Sequence, residues 1–486
     1  MDSFIRDQYE AVIGLEVHAQ LLTNSKAYSS DKNIYGEAPN TNVSPITLGH
    51  PGTLPLMNEK TIDYAIKLGI SVESTIAEKQ IFSRKNYFYP DLPKGYQITQ
   101  DTTPICTGGK IYIKIDGQRE KIIHLTRIHM EEDAGKSIHD VDINDTLVDL
   151  NRAGTPLLEI VSEPDIRSSE EAYQYLIEIR KLLRYLDICD GNMEEGSMRC
   201  DANISVRKKG SIDFGTKVEV KNMNSMRNVR QAIEFEINRQ ITCLENNELI
   251  YQETRGFDAL KGSTISMRTK EAANDYRYFP EPDLQPLFIT ENKIKEIKNQ
   301  IPELPRQLYH KFTETFGLSD YDATNLIESK GIANYYNEIV SFTSQYKMAA
   351  NWVMGDIKSY LNTKGVDISE FPISSKRIAQ LIELIHIGKI SNSSASQRIF
   401  PYMLENSDNP NQVAEKFNLF TDNSQDSLDQ FIEIVINQNP NEVQRFLDGD
   451  KKLLGFFMGQ LMKLSKGKVD PKSANQLIIK KMESLK

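Results

Sequence analysis

Residues 9–21 read YEAVIGLEVHAQL, and the alternation of apolar and polar side chains predicts a β-strand over residues 11–17. On a strand, positions two apart face the same side, so Glu16 and His18 can point together into one cavity. Alternating stretches recur at residues 110–115, 121–129 and 217–220. Two amphipathic helices interrupt them. One opens with Ser168 and Glu171 in capping-box spacing before Ala172, Leu176, Ile179, Leu183 and Leu186. The other carries Val229, Ile233, Ile237, Ile241 and Leu244, a stripe that reads as core packing. After Pro280, Pro282 and Pro286 the periodicity turns helical from Glu291 to the last residue, which puts a domain boundary there. Within the helical half, ENSDNPN at residues 405–411 reads as a linker, with the helical pattern resuming around Val413. A chain of 486 residues exceeds what one core usually serves. The expectation is an α+β chain of three parts, residues 1–290, 291–408 and 409–486.

Composition narrows the class. No apolar run approaches the roughly 20 residues that span a bilayer, so no membrane role is expected. MDSFIRDQYEAVIGLEVHAQ lacks the basic start and continuous apolar core of a secretory signal, and the expectation is cytoplasmic. Cys106, Cys189, Cys200 and Cys243 are too scattered for a disulfide framework or a Cys-x-x-Cys metal half-site. The net charge of −10 argues against a surface devoted wholly to nucleic acid, but its distribution is uneven. Residues 441–486 hold ten Lys or Arg and five Asp or Glu, a local charge of +5 against −15 for the rest. Nucleic-acid contact is therefore favoured at that end, with Lys463, Lys466, Lys468 and Lys472 as its candidates; the alternative is a solvated helical face.

Candidate ligands crowd the first half: Glu16 and His18, then Glu131, Glu132 and Asp133 in HMEEDAGK, Glu159 and Glu163 in GTPLLEIVSEPD, and Asp201 in MRCDANIS. Several carboxylates with one imidazole and no thiolate suit a hard divalent ion such as Mg²⁺ that bridges phosphates. The alternative is acids that are solvated or paired with Lys and Arg. No Gly-x-x-x-x-Gly-Lys-Ser/Thr loop occurs, which excludes a P-loop ATPase. In SRKNYFYPDLPKGYQITQ, Arg84, Lys85 and Lys94 could hold phosphates or an RNA backbone, while Tyr87, Phe88 and Tyr89 offer stacking faces. A packed aromatic loop with exposed charges explains them equally well. Apart from His18, the histidines, His129 among them, show no metal-type pairing and read as structural.

Together these segments resemble the B subunits of bacterial tRNA-dependent amidotransferases. The likeness runs over nearly the whole chain, through YEAVIGLEVHAQL, LGHPGTLP, FSRKNYFYPDLPKGYQITQ, RIHMEEDAGKS, NRAGTPLLEIVSEPD, EEGSMRCDANIS, KVEVKNMNS, DYRYFPEPDL and GFFMGQLMKLSKGKVDPKSANQL. It implies a catalytic cradle around an antiparallel sheet, a helical domain and a small helical, tRNA-binding tail. It also implies a ligase of protein biosynthesis that uses ATP and Mg²⁺ to phosphorylate the side-chain carboxylate of a misacylated glutamyl- or aspartyl-tRNA. Ammonia from a partner glutaminase then displaces phosphate, and a further small partner protein completes the heterotrimer. Carried over by resemblance, Glu16, His18, Glu132 and Glu159 are catalytic and metal positions, Glu131 and Asp201 lie nearby, and Arg84 and Lys94 are phosphate candidates. Many family members hold structural zinc where this chain has Ser29, Asp31, Ser44 and Thr47, none of them a thiolate, so no zinc is expected. Two other readings stay open: a non-catalytic tRNA-binding scaffold, and the archaeal-type glutamyl-tRNA paralogue, whose large extra domain is not visible in this sequence.

Overall fold

The structure, a computed structural model, describes residues 3–115, 119–139, 141–142, 144–269, 276–421, 425–464 and 471–484. It divides into two compact units, Met1–Leu304 and Pro305–Lys486.

In the first unit the alternating stretch forms β1, Tyr9–Gln20. Ile13, Leu15, Val17 and Ala19 are fully buried on one face, while Glu16, His18 and Gln20 are half-buried on the other. Among the strands that follow are β2 (Thr75–Ile76), β3 (Ser83–Asn86), β4 (Tyr96–Thr99), β5 (Cys106–Thr107), β6 (Lys110–Ile113) and β7 (Lys121–Glu132). After them come β8 (Pro156–Ser162), β9 (Met198–Lys208), β10 (Val218–Lys221), β11 (Glu253–Asp258), β12 (Ser263–Thr269) and β13 (Phe279–Pro280). Ten of the described strands make one sheet, in the order β12, β11, β10, β9, β1, β8, β7, β5, β2, with β6 also paired to β7. β13, β3 and β4 form a separate small sheet.

Pairing along the large sheet is antiparallel with one exception. β10 and β11 run parallel, because a helix connects them and returns the chain to the same end. Three helices, α1 (Glu59–Ser71), α2 (Ser169–Tyr185) and α3 (Met226–Glu245), cover the apolar face. Ser168 accepts from the Glu171 amide as the capping spacing predicts, but the Glu171 side chain reaches the Arg167 amide and Lys121 instead of closing the box. The predicted stripes of both helices are core: Leu176, Ile179, Leu183, Val229, Ile233, Ile237 and Ile241 are fully buried. Truncating such a residue to alanine costs about 2–5 kcal/mol. Glu236 of α3 is also fully buried, and Arg239, Gln240 and Thr264 satisfy its carboxylate, which ties the helix to the sheet edge. Although helical periodicity begins at Glu291, α4 (Glu291–Lys298) packs on α1 and buries Ile297 in this same core, so the first compact unit runs past that change.

In the second unit, α5 (Lys330–Val340), α6 (Ser375–His386) and α7 (Pro410–Lys416) pack together. The polar stretch before α7 is not a loose linker. Arg377 of α6 donates to the carbonyls of Asn406 and Asp408 at 2.7 and 2.6 Å, and Asn409 with Gln412 forms a full capping box that starts α7. The tail has its own apolar cluster, in which Ile432, Val435, Phe457, Leu461, Ile478 and Met482 are buried. Its helices are α8 (Gln425–Gln438), α9 (Pro440–Leu447), α10 (Leu454–Leu464) and α11 (Pro471–Glu483). Among the described residues, no helix is long and apolar enough to cross a membrane.

The four positions with no thiolate converge on one carboxylate. Asp31 Oδ2 accepts from Ser29 Oγ at 3.1 Å, from the Ser44 amide at 2.9 Å, from Ser44 Oγ at 2.8 Å and from Thr47 Oγ1 at short range. Burial works to raise the Asp31 pKa, but these donors outweigh it and hold it below its ordinary value. The anion therefore cross-ties a loop that two separated chain segments supply. Asp31→Asn should lower stability by about 2 kcal/mol, the scale of hydrogen bonds to a charged acceptor. Because the folded pKa is depressed, the wild-type advantage should be constant above the ordinary aspartate range and vanish as pH falls through the folded value. Thermal melts of both proteins between neutral and acid pH test this, and a strong chelator should shift neither melting temperature. A chelator-sensitive melt or stoichiometric zinc in the purified chain would overturn it.

Candidate functional site

The open face of the large sheet is where β1, β8, β7 and β9 bring polar side chains into register. His18 lies opposite Arg199 on β9 and Glu159 on β8, and Glu159 lies opposite His129 on β7. One cross-strand row therefore reads Arg199, His18, Glu159, His129. Glu159 Oε2 is 3.3 Å from Nε2 of both His18 and His129, and His129 Nε2 is 3.1 Å from Glu131 Oε1. Gln97 Nε2 and Thr99 Oγ1 of β4 donate to the two oxygens of Glu131 at 3.1 and 2.6 Å. Lys85 Nζ stands 4.0 Å away on the same side.

Burial opposes ionisation of both carboxyls, but His129 and His18 at Glu159, and His129 and Lys85 at Glu131, hold them below the ordinary carboxylate range. The imidazoles move the other way. Burial would lower their pKa values, yet the Glu131 and Glu159 hydrogen bonds raise His129 to about 9, and Glu159 raises His18. The result is a partly buried row of charges, in which His129 Nδ1 has no partner among the described residues. Ligand atoms of His18, Glu131 and Glu159 lie within 4.8 Å of one another, close enough for a single metal ion.

A second group adjoins it. Glu16, Asp201 and Glu219 also bring ligand atoms within 4.8 Å. Lys221 binds Asp201 at 2.5 Å and Glu219 at 3.2 Å, while Asn203 Nδ2 donates to Glu16 at 2.8 Å. Burial first, then the charges of Glu159 and Asp201, raise the Glu16 pKa, so a cation placed here would relieve repulsion. Sequence reasoning missed two members of the combined site. Glu219 stands between Val218 and Val220, whose burial turns it to the open face, and His129 stands two positions before Glu131 on one strand; strand alternation signals both.

Other expected residues lie elsewhere. Glu132 does not join the carboxylate clusters, because the alternation of β7 turns it to the opposite face from Glu131. There it pairs at short range with Lys94 and accepts from the Ile98 amide at 2.9 Å, beside a small cavity lined by Lys26, Tyr28, Thr47 and Tyr96. Lys94 is thus engaged. Arg84 is clamped by buried Glu281 through two hydrogen bonds of 2.7 and 2.8 Å, with a third to Asp283 at 3.1 Å, so its guanidinium anchors β3 to the segment after β13. Asp133 is held by Arg199 and Gln20, both at 2.7 Å, and Glu163 accepts from Thr126 at 2.8 Å. Lys85 lies over the Tyr276 ring, and Tyr89, Tyr87, Tyr276 and Tyr278 form a chain of edge-on rings beside Glu131's cation. Phe88 is 91% exposed. In the tail, Lys463 is exposed near the end of α10; Lys466, Lys468 and the Lys472 side chain lie outside the described residues.

Residues 11–295 match the family model described as the GatB/GatE catalytic domain, and residues 334–482 match that of the GatB domain. The B subunit of the aspartyl/glutamyl-tRNA(Asn/Gln) amidotransferase from Thermodesulfovibrio yellowstonii is 48% identical over 473 residues, 97% of this chain and 99% of that protein. The proteins of the same name from Chlorobium chlorochromatii and Alkalilimnicola ehrlichii are 48% and 46% identical, each over 98% of this chain and 99% and 100% of their own lengths. With both family models matched and this likeness sustained from end to end, the chain belongs to the family of aspartyl/glutamyl-tRNA(Asn/Gln) amidotransferase B subunits.

Proposed function

We propose that this chain activates the side-chain carboxylate of a misacylated glutamyl- or aspartyl-tRNA for amide formation. The observation that carries the reading is the pair of adjoining acidic clusters, His18 with Glu131 and Glu159, and Glu16 with Asp201 and Glu219, on one open sheet face. Their donors are carboxylates and an imidazole without thiolates, the set that suits Mg²⁺. When bound, Mg²⁺ neutralises charge on the phosphates of ATP and on the transferring phosphoryl group. The chain's residues do the positioning. His129 and Lys85 hold Glu131 ionised, and His129 and His18 hold Glu159 ionised, so both offer anionic oxygens without first losing a proton. Arg199 keeps Asp133 ionised, and Lys221 holds Asp201 in place beside them through its ion pair. The ATP γ-phosphoryl group passes to the substrate carboxylate and ADP leaves; ammonia from a partner glutaminase then displaces phosphate to form the amide. The exposed Phe88 and Tyr89 would stack the unpaired acceptor end of the tRNA, with Lys85 near its phosphates. The glutaminase and a small third protein complete this assembly.

In the complex with those partners, Glu159→Gln or His18→Ala should lower ATP-dependent transamidation by about 100-fold or more, the scale of losing several kcal/mol of charge stabilisation. Glutaminase activity should survive in part, and Glu163→Gln should behave like wild type. Unimpaired amide formation by Glu159→Gln would sink the assignment.

The tail supplies a separate expectation, because α8 to α11 share a core of their own. Deleting residues 425–486 should weaken tRNA affinity and leave ATP affinity unchanged. For every tRNA phosphate that the tail no longer neutralises, the salt slope of binding should fall by roughly 0.7–0.9. Titrations at two salt concentrations decide it: equal affinities and slopes with an earlier melt would make the tail a stabilising appendage.

A further inference from the structure

Lys221, on β10, occupies the second acidic group. Its Nζ lies 2.5 Å from Asp201 Oδ2 and 3.2 Å from Glu219 Oε1, and these carboxylates with Glu16 bring ligand atoms within 4.8 Å of one another. The first group differs, because Lys85 stands off from it, 4.0 Å from Glu131. An ammonium in contact with Asp201 and Glu219 would repel a divalent ion bound by the same carboxylates, so the two are alternatives. Burial works to lower the Lys221 pKa, but Asp201 and Glu219 outweigh it and raise it. The ammonium therefore leaves the group by moving and keeps its proton.

The surroundings let it move. The Lys221 side chain is 41% exposed, against 18% for Asp201 and 16% for Glu219. Its register partner on β11 is Gly256, which has no side chain, and the unbranched Met267 of β12 folds over that glycine, its sulfur 2.8 Å from where a Cβ would stand. On the side away from Asp201, the Lys221 stem thus has a yielding apolar surface to lie against. Two of the carboxylates also have neutral donors that stay in place. Asn203 Nδ2 donates to Glu16 at 2.8 Å and Thr254 Oγ1 to Glu219 at 2.7 Å, so the group keeps its shape without the ammonium. We propose that Lys221 is an internal counter-ion, which fills the second acidic group in the resting chain and gives way only when a divalent cation displaces it. The proposal rests on the reading of these carboxylates as cation ligands. It makes loading of the second position an exchange, so that position binds a cation more weakly than its three acids alone would and fills after the first.

Cation binding tests it directly, with Mn²⁺ followed by electron paramagnetic resonance in the complex with the partner proteins and no nucleotide. Lys221→Met should bind the second Mn²⁺ about tenfold more tightly than wild type, the scale of the two ion pairs that the cation no longer has to break. That gain should disappear when Asp201→Asn is added. Lys221→Arg, which keeps the charge, should bind like wild type, and Thr254→Val, which removes a donor to Glu219 and no competing charge, should show no tightening. A measurement on the wild-type complex does not depend on how the variants fold: acetylation of Lys221, read by mass spectrometry, should rise several-fold when Mn²⁺ is added. Unchanged or weaker Mn²⁺ binding in a folded Lys221→Met, the result for a lysine that only braces its carboxylates, would overturn the exchange while leaving the cation reading standing. So would acetylation of Lys221 that Mn²⁺ leaves unchanged. A complex that binds no Mn²⁺, with or without Lys221, would overturn both.

Discussion

The carboxylate of Glu159, shared at 3.3 Å by two imidazoles, is the interaction around which the open face is organised. Acidic groups this close and this buried repel one another and resist leaving water, so they coexist only where positive charge or donors lie between them. The sheet supplies that interleaving through register. His18 and His129 flank Glu159 on neighbouring strands, and Arg199 ends the row beyond His18. A slip of one residue in any of these pairings would turn a member of the row into the helix-covered core. The apolar face of β1 guards against it, because slipping would also expose Ile13, Leu15 and Val17.

The opposite side of β7 follows the same rule with a different partner. Glu132, one residue from Glu131, is matched by Lys94, and Arg84 is matched by Glu281 from a segment nearly two hundred residues away. These pairs are buried, and breaking one by removing a single partner costs more than the pair itself contributes. They fix the loop of β3 and β4 against β7, which in turn fixes the Gln97 and Thr99 donors to Glu131. The geometry of the open face is therefore set partly by ion pairs that never touch it.

Much of this was legible in the sequence because strand and helix periods leave direct traces. β1, both long amphipathic helices and the shift to helical periodicity near Glu291 follow from apolar spacing alone. Pairing was not legible, since it depends on contacts between distant segments. For that reason Glu131, Glu132 and Asp133 looked like one acidic group, although a strand sends neighbours to opposite faces. His129 looked structural for want of a neighbouring ligand in sequence, yet its partners are Glu131 on its own strand and Glu159 across the sheet. The polar stretch at residues 405–411 read as a linker because composition does not reveal that Arg377 pins its carbonyls. The parallel pairing of β10 with β11 could have been suspected from the helix between them, but the choice of neighbour could not.

The position of β1 at the middle of the sheet bears on how the chain comes into being. Of the strands in this sheet β1 is made before the rest and takes its neighbours from β8 and β9, so its two edges stay unpaired until the residues beyond Pro156 and then Met198 have emerged. At about 5–20 residues per second that wait is on the order of ten seconds or more. Through that interval a strand with one wholly apolar face and two open hydrogen-bonding edges is the kind of surface that nascent-chain chaperones cover and that aggregation exploits. Closure over so long an intervening chain is also entropically slow. The arrangement that gathers the acidic row at the middle of the sheet thus leaves the strand made before its neighbours waiting for them.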